Sequence, residues 1–392
     1  MVAEPYSFDV FLEGDFMKFK AAVLREMSTD MPYSASKPVS VEEVTVEPPG
    51  PGEVLVKIRA AGLCHSDLSV INGDRPRGLP IVLGHEASAE VVELGQGTTD
   101  LSVGDHVVLV FVPSCGCCLP CAEGRPALCV PGQKANAEGS LLGGHRRLKA
   151  QNGDVINHQT GVSCFAEYAV VSARSCVKIN RDLSHREAAL FGCAVLTGAG
   201  AVINRAKVRA GDTVAVVGLG GVGFSALLAA VASGARRVVA IDLNDDKLAL
   251  AKQMGATHTV NPAIFTSNSD MLEAAGGVVD YGLDMAGAVK AFETAHYLTK
   301  KGGTTITSGL PNPKTSFALS LVQLVGEERT IQGSYLGSGV PARDIERYID
   351  LYLDGKLPVD LMMGKTFDLN SINEAFDHLA SGSSLRDAII FN

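Results

Sequence analysis

Cysteines and histidines recur in this chain at separations that suit metal ligation. Cys115, Cys118 and Cys121 are evenly spaced with two residues between neighbours, and Cys129 follows after seven more. Four thiolates this close together can wrap one tetrahedral Zn²⁺, and with no coordination position left over that metal is structural. Cys117 is a fifth candidate in the same run, and a free-thiol or redox cluster is the alternative. A second set is dispersed. GLCHSD carries Cys64, His65, Ser66 and Asp67; GHE carries His85 and Glu86; FGCAVLTG carries Cys193. Cys64, His85 and Cys193 would give two thiolates and one imidazole, leaving one position open for an oxygen ligand, which is catalytic zinc chemistry. Taken singly, each of these residues reads as an ordinary core residue. A nucleotide motif further along the chain gives them weight together. Cys164 and Cys176 have no such company and are read as core or strand residues.

That motif is Gly218-Leu219-Gly220-Gly221-Val222-Gly223. Glycines there permit a tight turn, close backbone approach to a pyrophosphate and close helix packing, provided a strand precedes and a helix follows. Thr213–Val217 reads as the strand and the apolar run after Gly223 as the helix. An acidic residue is expected about 20 positions on, and Asp242 stands at the end of VVAID. Its carboxylate suits the two ribose hydroxyls of NAD and opposes a 2′-phosphate. Leu243 and Asn244 follow it, with no arginine to hold that phosphate.

The elements that must position these groups fall into two kinds. From Phe19 to Val110 short β-rich runs alternate with turns, as in EVLVKIRAAG and SAEVVELG. Residues 112–163 read as an irregular loop rich in Cys, Gly and Pro, and 164–180 return to strands. From about residue 195 strands alternate with helices, the pattern of βαβ units around a parallel sheet. From about residue 335 short strands and helices resume. An α/β chain of two domains is expected, with a catalytic domain over 17–194, a dinucleotide domain over 195–334 inserted before its closing segment 335–392, and a loose extension over 1–16. An ordered N-terminal arm is the alternative for that extension.

Composition sets the outer bounds. The 392 residues suit two cores, and 46% hydrophobic with 20% charged residues is a globular composition. A net charge of −9 argues against nucleic acid and anionic membrane as partners. The apolar stretch around Val214–Ala232 is broken by the motif's glycines and is therefore not read as a membrane span. The first residues carry Glu4, Asp9, Glu13 and Asp15 without a basic region, so no signal peptide is expected. Nine cysteines clustered in this way point to metal ligation in a reducing, cytoplasmic setting rather than to a disulfide framework.

Jointly, GLCHSD, GHE, the four-cysteine run, FGCAVLTG, GLGGVG and the terminal SLRDAIIF resemble the zinc-dependent medium-chain alcohol dehydrogenases, from about Met17 to the C-terminus. The long 112–163 segment and GSYLGS resemble the branch of liver-type and thiol-dependent formaldehyde dehydrogenases. The resemblance implies a GroES-like β-rich catalytic domain and a Rossmann doubly wound parallel-sheet domain, with the active site in the cleft between them. It implies two Zn²⁺ per subunit, one catalytic and one structural, and NAD as cofactor. Asp67 would orient His85, Glu86 would lie beside the metal, and Ser66 would begin the proton path. His65 and Arg386 would face the pyrophosphate, Lys247 the adenosine ribose, and Thr197 and Val222 the nicotinamide. Phe111 and Leu310 would line the substrate pocket, with Arg75 and Arg77 at its entrance. Liver-type members often end the proton relay in a histidine five positions after the first cysteine. Ser69 stands there, so water or another group would complete it. The expected partners are a small alcohol or aldehyde and further copies of the chain, as a homodimer or homotetramer. Three functions stay open: oxidation of a primary alcohol, aromatic ones included; oxidation of an S-hydroxymethyl thiol adduct; and, remotely, non-catalytic dinucleotide binding.

Overall fold

The computed structural model describes residues 16–382 and 384–392. Of the expected N-terminal extension only Phe16 falls within them. Strands Met17–Leu24, Val39–Val46, Leu148–Ala150, Val155–His158 and Ile81–Val82 close a small barrel. Beside it lies a seven-stranded sheet built around Glu53–Gly62, which pairs antiparallel with Ala87–Leu94, Tyr168–Ser172 and, at its end, Arg386–Ile390. Much of EVLVKIRAAG is buried because neighbours cover both its faces, which explains its long apolar run.

The third sheet has six parallel strands in the spatial order His258–Val260, Arg237–Ile241, Thr213–Val217, Val279–Asp284, Thr299–Thr307, Thr330–Gly333. That is the doubly wound order, and strand direction of travel reverses at Thr213–Val217, whose five residues are all buried. A crevice at the carboxyl end of that strand is where such sheets take ligands. Helix Gly221–Ala232 begins there.

The chain returns to the seven-stranded sheet through Met363–Phe367 and Arg386–Ile390. Ala388 pairs with Gly62, so the last strand delivers Arg386 to the turn that carries Cys64. Helix Pro341–Leu353 packs on helix Ala194–Gly200, joining the two regions.

The reading of 112–163 as irregular is corrected. It contains helix Val130–Glu138 and two strands of the barrel. The strands are too short to show a period. The helix is polar nearly all round, so its signals are only the proline in its first turn and Gly139 in the left-handed conformation at its end. Among the described residues no single helix is long and apolar enough to cross a membrane.

Candidate active site

The dispersed set converges. Cys64 ends the turn after Glu53–Gly62 and caps helix His65–Ile71 in a reciprocal capping box with Asp67. Asp67 Oδ2 accepts from the Cys64 N–H at 3.2 Å. His85 and Glu86 lead into Ala87–Leu94. Gly84 before them has φ 97°, and a Cβ there would sit 2.5 Å from the Phe165 nitrogen, so only glycine lets the chain pass. Cys193 caps helix Ala194–Gly200. One ligand atom from each of Cys64, His85, Glu86 and Cys193 lies within 4.8 Å of the others, and all four residues are buried.

The donor set fits a zinc ion. Asp67 Oδ1 lies 2.8 Å from His85 Nδ1. A carboxylate only accepts, so Nδ1 carries the proton and Nε2 keeps its lone pair. Nε2 is 3.5 Å from Cys193 Sγ. Glu86 Oε2 faces Arg386 at 3.2 Å, while buried Oε1 lacks a hydrogen-bond partner, which leaves an acceptor free for a cation. Burial disfavours a charged His85, but Asp67 more than offsets it and holds the imidazole pKa well above its usual value. Cys64 is drawn well below the usual thiol range by its hydrogen bond with Cys193, against burial and with help from Arg386 and His85. Cys193, bearing the shared proton, is pushed up. Burial raises Glu86 to about 7, with Arg386 opposing.

Arg386 connects this cluster to the glycine-rich turn. Its side chain is 4% exposed, its Nη1 donates to Leu63 O at 2.8 Å, and its Nη2 lies 3.2 Å from Glu86 Oε2. The other face of the guanidinium lies against Gly221, where a Cβ would come 2.8 Å from Nε. Buried Nε has no hydrogen-bond partner, so a donor remains beside the turn. Gly218 has φ 92° and Gly223 is pressed against Gly218 O, while nothing of the protein lies within 4 Å of a Cβ at Gly220. That open space and the uncapped start of helix Gly221–Ala232 form a cradle that fits a pyrophosphate. Asp242 follows strand Arg237–Ile241; its Oδ2 accepts from Leu219 N at 2.6 Å and its Oδ1 from Asn244 N at 2.9 Å. Its carboxylate is thus fixed beside the turn, with lone pairs to spare. Packing beneath the rim residue His65 lowers its pKa, with Cys64 opposing and nearby Arg386 and Lys247 adding to the fall. Arg386 and Lys247 are thus both within electrostatic reach of His65. Thr197 is buried on helix Ala194–Gly200, and a Cβ added at Gly198 beside it would strike Val222 O and Ser225.

Ser66, Arg75, Arg77, Phe111 and Leu310 line, with His85, one cleft. Leu310 stands on its rim, 47% exposed. Reading by motif missed Val70, Gln159, Thr160 and Tyr335, which line it too. The Phe111 ring meets His85 edge-on at 5.1 Å and Tyr335 at 6.1 Å. Ser69 is turned away from any relay, since its hydroxyl donates to His65 O at 2.8 Å. Cys164 is buried behind the cluster, with Sγ 3.6 Å from Glu86 O, and Cys176 lies on a short strand.

The second metal set also assembles. Cys115, Cys118, Cys121 and Cys129 bring their sulfurs within 4.8 Å of one another. Cys117 is exposed, outside the four, with its Sγ 3.7 Å from that of Cys115. Backbone N–H groups of Cys115 and Gly132 point at Cys129 Sγ, at 3.2 and 3.3 Å. The N–H groups of Cys117 and Cys118 lower Cys115 to about 6, as suits a thiolate ligand. Burial raises Cys121 to about 12. Among the described residues no two cysteines form a disulfide.

Comparison with known proteins agrees with both halves. A family model described as the alcohol dehydrogenase GroES-like domain matches residues 50–181, and one described as zinc-binding dehydrogenase matches 221–354. The chain is 37% identical to an S-(hydroxymethyl)glutathione dehydrogenase of Synechocystis sp., over 95% of this chain and 100% of the relative. It is 39% identical to the putative alcohol dehydrogenase D of Mycobacterium tuberculosis, again over 95% and 100%. Among solved structures, the benzyl alcohol dehydrogenase of Acinetobacter calcoaceticus superposes with a TM-score of 0.88 at 32% identity, over 96% of this chain and 100% of that one.

Proposed function

The chain belongs to the zinc-dependent medium-chain alcohol dehydrogenase family and is an NAD-dependent oxidoreductase of alcohols and aldehydes; from that premise we propose which of its residues carry the reaction and what they act on. Cys64, His85 and Cys193 hold the catalytic zinc, in the Cys₂His pattern known for alcohol dehydrogenases. Cys115, Cys118, Cys121 and Cys129 hold a second, structural zinc. When bound, the catalytic zinc supplies Lewis acidity toward an alcohol oxygen and NAD supplies the hydride acceptor. Asp67 fixes the tautomer and direction of His85. Ser66 Oγ takes the hydroxyl proton of the substrate and passes it outward. Glu86 stays paired with Arg386 and adjoins the three ligand residues. His65 and Arg386 hold the pyrophosphate, Lys247 and Asp242 the adenosine ribose, and Thr197 and Val222 flank the nicotinamide. Phe111, Leu310 and Tyr335 keep water from the reacting carbon.

The catalytic part comprises 17–194 and 335–392, and the NAD-binding part 195–334. The substrate is a primary alcohol, aromatic ones included, a reading supported by the aromatic wall of Phe111 and Tyr335. The second reading, an S-hydroxymethyl thiol adduct, is supported by the name of the Synechocystis relative. The chain acts as a homodimer or homotetramer in a reducing cytoplasm. Thr330–Gly333 is an open sheet edge, and near it in the chain Leu321, Val322 and Val325 are 72, 84 and 77% exposed, a face suited to a second copy.

The observation that carries the reading is the buried Cys64–His85–Glu86–Cys193 cluster beside a cleft and the glycine-rich turn. Metal analysis should find about two zinc ions per subunit, and NAD⁺ should be reduced on addition of primary alcohols or of formaldehyde with a thiol. Cys193→Ser should lose activity and one zinc. Cys118→Ser should lose the other zinc together with thermal stability. Loss of catalysis in Cys118→Ser at unchanged stability would refute the division of roles.

A further inference from the structure

Among the described residues Arg75 and Arg77 have no ion-pair partner. Both line the cleft that holds His85 and Ser66, and both are half-buried. Among the described residues no carboxylate lies within ion-pair distance of either guanidinium. Asp74, the nearest acid in sequence, is engaged by Asn72 and Asn312 instead. Arg77 donates to a backbone carbonyl, that of Asn136, at 3.3 Å. Burial lowers the pKa of Arg77, and repulsion from Arg75 lowers it further. A guanidinium does not give up its proton in this range. Two cations held side by side and partly desolvated therefore impose a cost that the described residues leave uncompensated.

The rest of the cleft indicates what would offset that cost. Phe111 lies 5.1 Å from His85 and 6.1 Å from Tyr335, ring centre to ring centre. The phenol of Tyr335 feels the charge of both arginines. Tyr335 also feels Cys193, so the aromatic wall borders both the metal-ligand cluster and the cationic pair. Thr160 adds a hydroxyl that is buried without a partner, on a residue at φ 51°. β-Branched residues rarely adopt that conformation unless the surroundings impose it.

Resting on the alcohol dehydrogenase reading, we propose that the substrate is a carboxylate-bearing alcohol, with its hydroxymethyl end at the Cys64–His85–Cys193 cluster, a flat apolar spacer along Phe111 and Tyr335, and its carboxylate held by Arg75 and Arg77. The guanidinium fork matches a carboxylate in two-point geometry. The carboxylate is unchanged by the reaction: the hydroxymethyl group gives a hydride to NAD⁺ and a proton to the relay, and leaves as an aldehyde. The same anionic chemistry is available from a small aryl acid or from the carboxylates of a thiol carrier.

The test compares 4-(hydroxymethyl)benzoate with its methyl ester on the zinc-loaded, full-length enzyme with NAD⁺. The wild type should favour the acid in kcat/KM by about ten- to a hundred-fold, and added salt should reduce that preference. Arg75→Ala together with Arg77→Ala should bring the acid-to-ester ratio near one, while Arg75→Lys with Arg77→Lys should retain a preference for the acid. The ratio cancels any general loss of activity. A second arm compares the formaldehyde adduct of glutathione with that of the neutral thiol 2-mercaptoethanol. A preference for the glutathione adduct that the double alanine variant loses assigns the carboxylate to the carrier. Benzoate binding, followed by calorimetry, reads the site without turnover and should be lost in the double alanine variant. A wild-type ratio at or below one in both arms, or a ratio unchanged by the double substitution, would overturn the proposal. Benzoate binding that depends on the arginines, in an enzyme oxidising none of these alcohols, would instead refute the alcohol dehydrogenase reading.

Discussion

Asp67→Asn is the most informative single change at the metal cluster, because it removes one charge and almost no volume. Asp67 is fully buried, accepts from His85 Nδ1 at 2.8 Å and accepts from the Cys64 N–H at 3.2 Å. An asparagine has one acceptor oxygen and one donor group. With its oxygen toward His85, its amide faces the Cys64 N–H, donor against donor. With the amide reversed, His85 loses its acceptor and the preference for a free Nε2 disappears. The first arrangement keeps the imidazole aligned but less basic, and leaves a buried N–H unsatisfied at about 1–3 kcal/mol. Losing such an orienting partner typically costs 10–100-fold in metal affinity, which is about 1.4–2.8 kcal/mol. Chelator titration of the full-length protein should therefore release one zinc from Asp67→Asn at about 10–100-fold lower chelator strength than from wild type, with the other zinc unmoved. Asp67→Ala should shift the same zinc further. If Asp67→Asn holds both metals as tightly as wild type, or if the four-cysteine zinc is the one loosened, the orienting role is wrong.

Two further outcomes follow from the geometry. Ser66→Ala should lower kcat by about 10²–10⁴-fold, the range of acid–base help. Ser69→Ala should change kcat little, because its hydroxyl is already spent on His65 O; the opposite pattern in steady-state turnover, at equal zinc content, would reverse the assignment of the relay. Asp242→Gly should weaken NADH binding and narrow the gap to NADPH in fluorescence titrations, since the residue both opposes a 2′-phosphate and holds Leu219 N and Asn244 N. A wild type that binds the two cofactors equally would contradict this reading.

The chemistry was more legible than the scaffold that presents it. Cys64, His85, Glu86 and Cys193 stand out by type and company, and Gly218, Gly220, Gly223 and Asp242 by spacing tied to an obvious strand and helix. Helix Val130–Glu138 escaped because it has no apolar face, and Leu148–Ala150 and Val155–His158 because three or four residues cannot display alternation. The cleft residues Val70, Gln159, Thr160 and Tyr335 have no distinctive type. Tyr335 lies in GSYLGS, which pointed to a branch of the family without revealing that the ring faces Phe111. Thr160 carries a signal only in its backbone, as a positive φ that no sequence pattern displays.

Gly221 shows how far such a reading depends on tertiary pairing. The dinucleotide motif requires glycine at 218, 220 and 223 and leaves 221 free. In the structure a side chain at 221 would strike the guanidinium of Arg386. Arg386 is there because Ala388 pairs with Gly62, which sets the last strand against the turn before Cys64. It is held there by Leu63 O and Glu86. A Cβ at Gly62 would in turn come 2.9 Å from Glu86 Oε1. Two glycines in distant motifs, 62 and 221, therefore flank one buried ion pair from opposite sides. The arginine needs that pair because a lone buried guanidinium is costly, and Glu86 gains from it a countercharge that opposes the rise in its pKa. The metal-ligand cluster and the pyrophosphate cradle are thus joined through one side chain whose two anionic neighbours would be Glu86 and the cofactor. A substitution at Gly221 should accordingly disturb the Glu86 side of the site as well as the cofactor side, although 135 positions separate the two residues in the chain.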